Sequence, residues 1–151
     1  MAIKGVHSGE FKLSLQLDDY SCGARSCFMI TQHLGVKKTY SEIKYLLNTD
    51  RKAGTNQHAM VAMFRGVGLQ AAFLKNAGFH TDLVPAFAKG FLHVALVDEE
   101  SHYIAVHGYD PTRDEVHLAD PSVLDCADRV VSRSTFKKRW DHWGVIVGPR
   151  R

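Results

Sequence analysis

The chain changes its hydrophobic period near residue 70, and that change limits its fold more than any other feature. Before it, apolar residues recur at helical spacing. Phe28, Met29 and Ile30, with Leu34 further on, predict a helix from about Cys22 to Leu34 closed by Gly35. "SEIKYLLN" predicts a second helix, capped by Ser41, with Ile43, Leu46 and Leu47 on one face. "TNQHAMVAMFRGVG" predicts a third, with Thr55 or Asn56 as cap and Gly66 or Gly68 as terminator. A short strand, "LQAAFL", and a short helix around "TDLVPAF" follow. After them come β-rich runs, "FLHVALVD", "HYIAVHGYD" and "EVHLAD", separated by the turn signals "EES" and "PTRD". "STFKKRW" reads as a last short helix and "WGVIVG" as a last strand. Helices followed by antiparallel strands define an α+β fold, with the helices packed against one meandering sheet.

No internal repeat or low-complexity linker interrupts this order, and 151 residues suit one domain, 1–151, with a real core. Hydrophobic residues make up 45% and charged residues 23%, which excludes a disordered chain. The net charge of +3 is modest, and basic residues gather only in "FKKRW" and "PRR". Those two read as a solvated helix face and a tail, so no nucleic-acid partner is expected. The first sixteen residues lack the apolar run of a secretory signal, and nothing approaches the ~20 apolar residues of a membrane helix. Three cysteines are too few and too odd for a disulfide framework and fit a reducing cytoplasm.

The chemistry starts at "QLDDYSCGARSCFMI", residues 16 to 30, where a polar stretch runs straight into an apolar one. Cys22 stands at that junction. A cysteine at a helix start meets unpaired N–H groups and the positive end of the helix dipole, which stabilise a thiolate. Asp18 and Asp19 work against this. A nucleophilic cysteine also needs a base, usually histidine, and a group that holds the ring. Of the nine histidines, His102 opens a strand directly after "DEES". The next strand ends in "LADPS", where Asp120 precedes the ladder-breaking Pro121. If the pairing sum of this hairpin is even, His102 and Asp120 share a face near one end. His107 and His117 then face the other way. The backbone N–H of Cys22 and the side-chain amide of Gln16 are candidate donors to an oxyanion.

The segments "Q-x5-C-G-A", "AGTNQHAMVAMFRGVGLQAAF", "HYIAVHGYD…EVHLADPS" and "STFKKRWDHWGVIVG" together resemble the bacteriocin-processing peptidases. These are papain-like cysteine peptidase domains at the N-termini of peptide-exporting ABC transporters. The resemblance runs from about Leu15 to Val147 in the family's order. It implies Cys22 as nucleophile, His102 as base, Asp120 as its orienter and Gln16 as oxyanion donor, with no cofactor. Members that only bind peptide lack the cysteine, which this chain keeps. The family cleaves after a Gly-Gly pair that ends a leader peptide, so a peptide or protein substrate is implied. Members usually continue into membrane helices and an ATPase; if this chain is complete, it acts alone or beside a separate ABC transporter. Residue 24 is Ala where proline is common. Isopeptide cleavage or transamidation at a glycine-ended tail would use the same four residues, and a non-cleaving binding module is the other alternative.

The remaining residues have plainer roles. Cys27 lies on a different helix face from Cys22 and is expected in the core; Cys126 has no evident base beside it. No C-x2-C or H-x3-H spacing appears, so no metal site is expected. Trp140 and Trp143 are expected to pack the last helix against the sheet.

Overall fold

The structure, a computed structural model, describes Phe11 and residues 22–48, 55–122 and 129–150. Gln16, Cys126 and the polar stretch before Cys22 lie outside these. Six strands form one antiparallel sheet: β1 (Gln70–Leu74), β2 (Leu92–Val97), β3 (His102–Asp110), β4 (Glu115–Ala119), β5 (Arg129–Ser132) and β6 (Trp140–Gly148). Their order is β1-β6-β2-β3-β4-β5. Strands β2 to β5 form the expected meander, but β6 enters between β1 and β2 rather than at an edge. The edge strand β5 has no counterpart among the sequence expectations.

Helix α1 (Cys22–His33) forms where the apolar period predicts it. Gly23, Ser26, Cys27, Ile30 and Thr31 bury one helix face, and Ala24 and Met29 widen it. Full burial of Met29 and Ile30 contributes about 2 kcal/mol each. Gly35, with φ of 82°, ends the helix, and the amides of Gly35 and Val36 close on the carbonyls of Gln32 and Thr31.

Helix α2 (Tyr40–Leu46) begins earlier than predicted. Its cap is Thr39, not Ser41, because Glu42 completes a reciprocal capping box with Thr39. Ile43 and Leu47 are buried, while Leu46 is turned outward and half exposed. Helix α3 (Gln57–Gly66) is capped by Asn56, whose Oδ1 accepts from the Ala59 amide at 2.8 Å. A single π-helical turn, Phe79–Leu83, runs straight into α4 (Val84–Ala88), and α5 (Arg133–Arg139) precedes β6.

The sheet is covered on both faces, which the expectation of N-terminal helices on one sheet did not include. On one side α1 to α3 pack over Val94, Ala105, Ala119 and Val145. On the other the π-helical turn, α4 and α5 bury Ala95, Ile104, Val106 and Leu118. All six residues of β2 are buried, as a strand covered from both sides requires. Trp140 packs on Phe136 of α5 as expected. Trp143 instead meets Phe73 of β1, with Lys75 above its ring.

The β3–β4 hairpin contains one β-bulge. On the turn side Gly108 pairs with His117 and Asp110 with Glu115; beyond His107, Val106 pairs with Leu118 and Ala105 with Ala119. His107 is the extra residue, so the register slips by one across it.

Candidate active site

The bulge decides where Asp120 points. Continued past Ala105 and Ala119, the ladder sets Asp120 opposite Ile104, on the face that also carries His102 two residues away. The turn-side register, carried through unbroken, would have set Asp120 opposite Ala105 and turned it to the wrong face. With the slip, His102 Nε2 stands 2.7 Å from Asp120 Oδ1. His107 turns to the other face, where its ring stacks on Phe11, and His117 lies beside it.

The N-terminus of α1 lies over the start of β3. Ser26 Oγ donates to the Tyr103 carbonyl at 3.3 Å. A Cβ on Gly23 would meet Met60 Cε at 2.9 Å, Thr55 Cβ at 3.0 Å and Tyr103 Cδ2 at 3.3 Å. A residue without a side chain after Cys22 therefore lets the helix end approach both α3 and β3. The imidazole of His102 binds Asp120 and has the Cys22 side chain as a neighbour that favours its charged form. Since Nε2 engages the carboxylate, Nδ1 is the nitrogen left for sulfur.

Electrostatics follow from these contacts. Burial opposes a charge on His102, yet its hydrogen bond to Asp120 and the neighbouring Cys22 outweigh it and raise its pKa to about 9. Asp120 is buried too, but hydrogen bonds from His102 and from Ser122 hold its carboxyl well below the usual range. At neutral pH the site therefore holds an imidazolium against a carboxylate, with the Cys22 side chain nearby. Cys27 is different: burial, then the neighbouring Cys22, pushes its thiol well above the ordinary value.

Sequence reasoning overlooked two residues here. Ser122 gives Asp120 both its amide, at 3.0 Å, and its hydroxyl, at 2.7 Å. The "DPS" triplet carried that signal, since an Asp side chain commonly binds the amide two residues on. Arg139, read as part of a solvated basic face, turns inward instead. It pairs with Asp98 at 2.8 Å and reaches Asp120 Oδ2 at 3.4 Å. Its neighbours Lys137 and Lys138 stay exposed. Among the described residues, no helix is long and apolar enough to cross a membrane.

Helices over a two-sided antiparallel sheet, with cysteine at a helix start and histidine on a facing strand, define a papain-like cysteine peptidase. The chain belongs to the Peptidase C39 family, whose profile matches residues 10–151. Among solved structures it is similar to a double glycine motif protease from an AMS/PCAT transporter, determined with its leader peptide. That likeness has a TM-score of 0.77 at 15% identity and covers 99% of both chains. The peptidase domain of Streptococcus ComA, a bifunctional ABC transporter involved in quorum sensing, matches with a TM-score of 0.74 at 17% identity. It covers 93% of this chain and 99% of that one. The N-terminal C39-like domain of a toxin secretion ATP-binding protein from Vibrio parahaemolyticus matches at 0.62 and 8% identity, over 86% and 98%. No curated protein matches by sequence.

Proposed function

We propose that this cysteine peptidase cleaves a leader or precursor peptide after a Gly-Gly pair, in the cytoplasm, with Cys22, His102 and Asp120 as its catalytic triad. The observation that carries the reading is His102 itself, hydrogen-bonded to a buried carboxylate and neighbouring Cys22 at the start of α1. The Cys22 thiolate attacks the scissile carbonyl carbon and forms a C–S bond. The negative charge that collects on the carbonyl oxygen is met by the Cys22 amide and by the side-chain amide of Gln16. His102 gives its proton to the leaving amine as the C–N bond breaks, which leaves a thioester. Water then attacks the thioester, His102 takes the water's proton, and the acid product and thiolate are released. Asp120 keeps the ring oriented and stabilises its cationic form throughout.

Specificity for glycine rests on likeness. One similar structure is named a double glycine motif protease and holds a leader peptide. By the same likeness, an ABC transporter is the proposed partner. The test is a cleavage screen of Gly-Gly-containing peptides with Cys22→Ala as control. Cleavage by the native protein alone, lost when either glycine becomes β-branched, supports the reading; tolerance of such residues removes the double-glycine assignment. Peptide binding without cleavage points to a binding module, and product joined to an added amine points to transamidation.

A further inference from the structure

The turn between β2 and β3, which delivers His102, is built at a conformational cost. Asp98, Glu99 and Glu100 have φ of 58°, 58° and 64°, and none is glycine. Left-handed backbone costs such residues roughly 1 kcal/mol or more each. Something must therefore hold the turn, and much of the hold comes from the segment around Arg139. The Asp98 amide donates to the Arg139 carbonyl at 2.9 Å, and the Glu100 amide to Asp141 Oδ2 at 2.7 Å. The Arg139 guanidinium forks onto Asp98, Nε to Oδ1 at 2.9 Å and Nη2 to Oδ2 at 2.8 Å.

The same guanidinium touches the orienting carboxylate. Asp120 Oδ1 takes His102 and both donors of Ser122. Arg139 Nη2 reaches the other oxygen, Oδ2, at 3.4 Å. The Arg139–Asp98 pair is more than a third exposed on both sides, so by itself it contributes about 0–1 kcal/mol to stability. Its placement, rather than its strength, is what matters: one planar fork links the turn before His102 to the far oxygen of Asp120.

We propose that Arg139 is a positioning residue, fixing His102 and Asp120 in register by holding Asp98 and Asp120 together. The proposal rests on the reading of Cys22, His102 and Asp120 as the catalytic set. Arg139 does not touch substrate; it acts through Asp120 and the turn. Lysine cannot replace it, since a point charge on a flexible stem lacks the planar fork that serves two carboxylates.

The experiment compares native protein, Arg139→Ala, Arg139→Lys and Lys137→Ala, each with and without millimolar methylguanidinium. Two quantities are read: turnover of a Gly-Gly peptide, and the downfield NMR resonance of the His102 Nε2 proton. Arg139→Ala is expected to lose at least ten-fold in kcat with KM within about two-fold, and to lose or broaden the resonance. Methylguanidinium restores both at least in part. Arg139→Lys recovers less than half of the loss, and Lys137→Ala matches the native protein. An unchanged resonance in Arg139→Ala overturns the proposal, as does a parallel fall in melting temperature and kcat without rescue. If Cys22→Ala cleaves as well as the native protein, the catalytic reading fails, and the resonance still decides what Arg139 does.

Discussion

Asp120 holds His102 by one oxygen, Oδ1 to Nε2 at 2.7 Å, while its other oxygen faces Arg139. The ring thus has one nitrogen committed to a carboxylate and the other available to Cys22. Asp120→Asn keeps the shape but can present its NH₂ to the ring and favour the wrong tautomer. Turnover of a cleavable peptide should fall about 10²- to 10⁴-fold, with an unchanged circular dichroism spectrum. Activity within a few-fold of native would remove Asp120 from the triad.

Two cysteines on one helix provide a built-in comparison. Cys22 is half-buried beside His102, and Cys27 is fully buried with its thiol pKa raised. In native protein at mildly acidic pH, iodoacetamide should alkylate Cys22 well before Cys27, as read by peptide mass spectrometry. Equal labelling of the two would count against an activated thiol at Cys22.

The raised pKa of His102 sets the alkaline limb of activity. The ring must carry a proton to give the leaving amine, and it keeps that proton up to about pH 9. The rate should therefore hold through neutral pH and decline as pH passes about 9. A decline centred near 6.5, the value of a free histidine, would mean that the contacts to Asp120 and Cys22 do not persist in solution.

Gly23 has no room for a side chain. Its replacement by alanine forces a methyl to within 3.0 Å of Met60 and Thr55, and the overpacking should cost about 1–3 kcal/mol. Because Cys22 is the adjacent residue, Gly23→Ala should lose activity beyond what its melting temperature explains. Full activity per folded molecule would show that the helix end tolerates displacement.

His93 should make the fold acid-sensitive. The ring is fully buried on β2, and burial pulls its pKa down to about 4, although its hydrogen bond to the Val145 carbonyl works the other way. Between that value and about 6.5 the unfolded chain holds a proton that the folded chain refuses, so stability falls as pH drops. Urea unfolding should lose roughly 2 kcal/mol from this group between pH 7 and pH 5. His102 acts in the opposite sense, its pKa being raised, so the comparison is with His93→Gln, in which this slope should flatten.

Much of this arrangement could be read from residues alone, and what could not has particular reasons. Helix α1 carries its period and terminator, and α3 its period, cap and terminator, in plain order, and the structure follows them closely. Strand parity selected His102 and Asp120 only on condition of an even pairing, and that condition is met by the bulge at His107. In "HYIAVHGYD" the one local hint of a bulge is Gly108, since glycine inside a strand often marks one, but which residue bulges answers to the twist and packing of the whole sheet. Arg139 was hidden by its neighbours. In "KKR" each residue looks equally solvated, and only the meeting of α5 with the β2–β3 turn decides which one turns inward. The Thr39 cap was legible, since Glu42 follows three residues later. Strand β5 was not, for "RVVS" is short, mostly exposed and at an edge.

The bulge at His107 also predicts where the hairpin tolerates a change of length. Residues 111–114 at its tip lie beyond the slip, on the side that carries no candidate catalytic group. Insertions there can be taken up by a longer loop while Ala105 still meets Ala119. At the base no such slack exists, since one residue gained or lost between Ala105 and His102, or one gained between Ala119 and Asp120, puts ring and carboxylate on opposite faces of the sheet. A scan of single-residue insertions along the hairpin would then divide sharply, with folded, active variants at the tip and folded, inactive ones at the base.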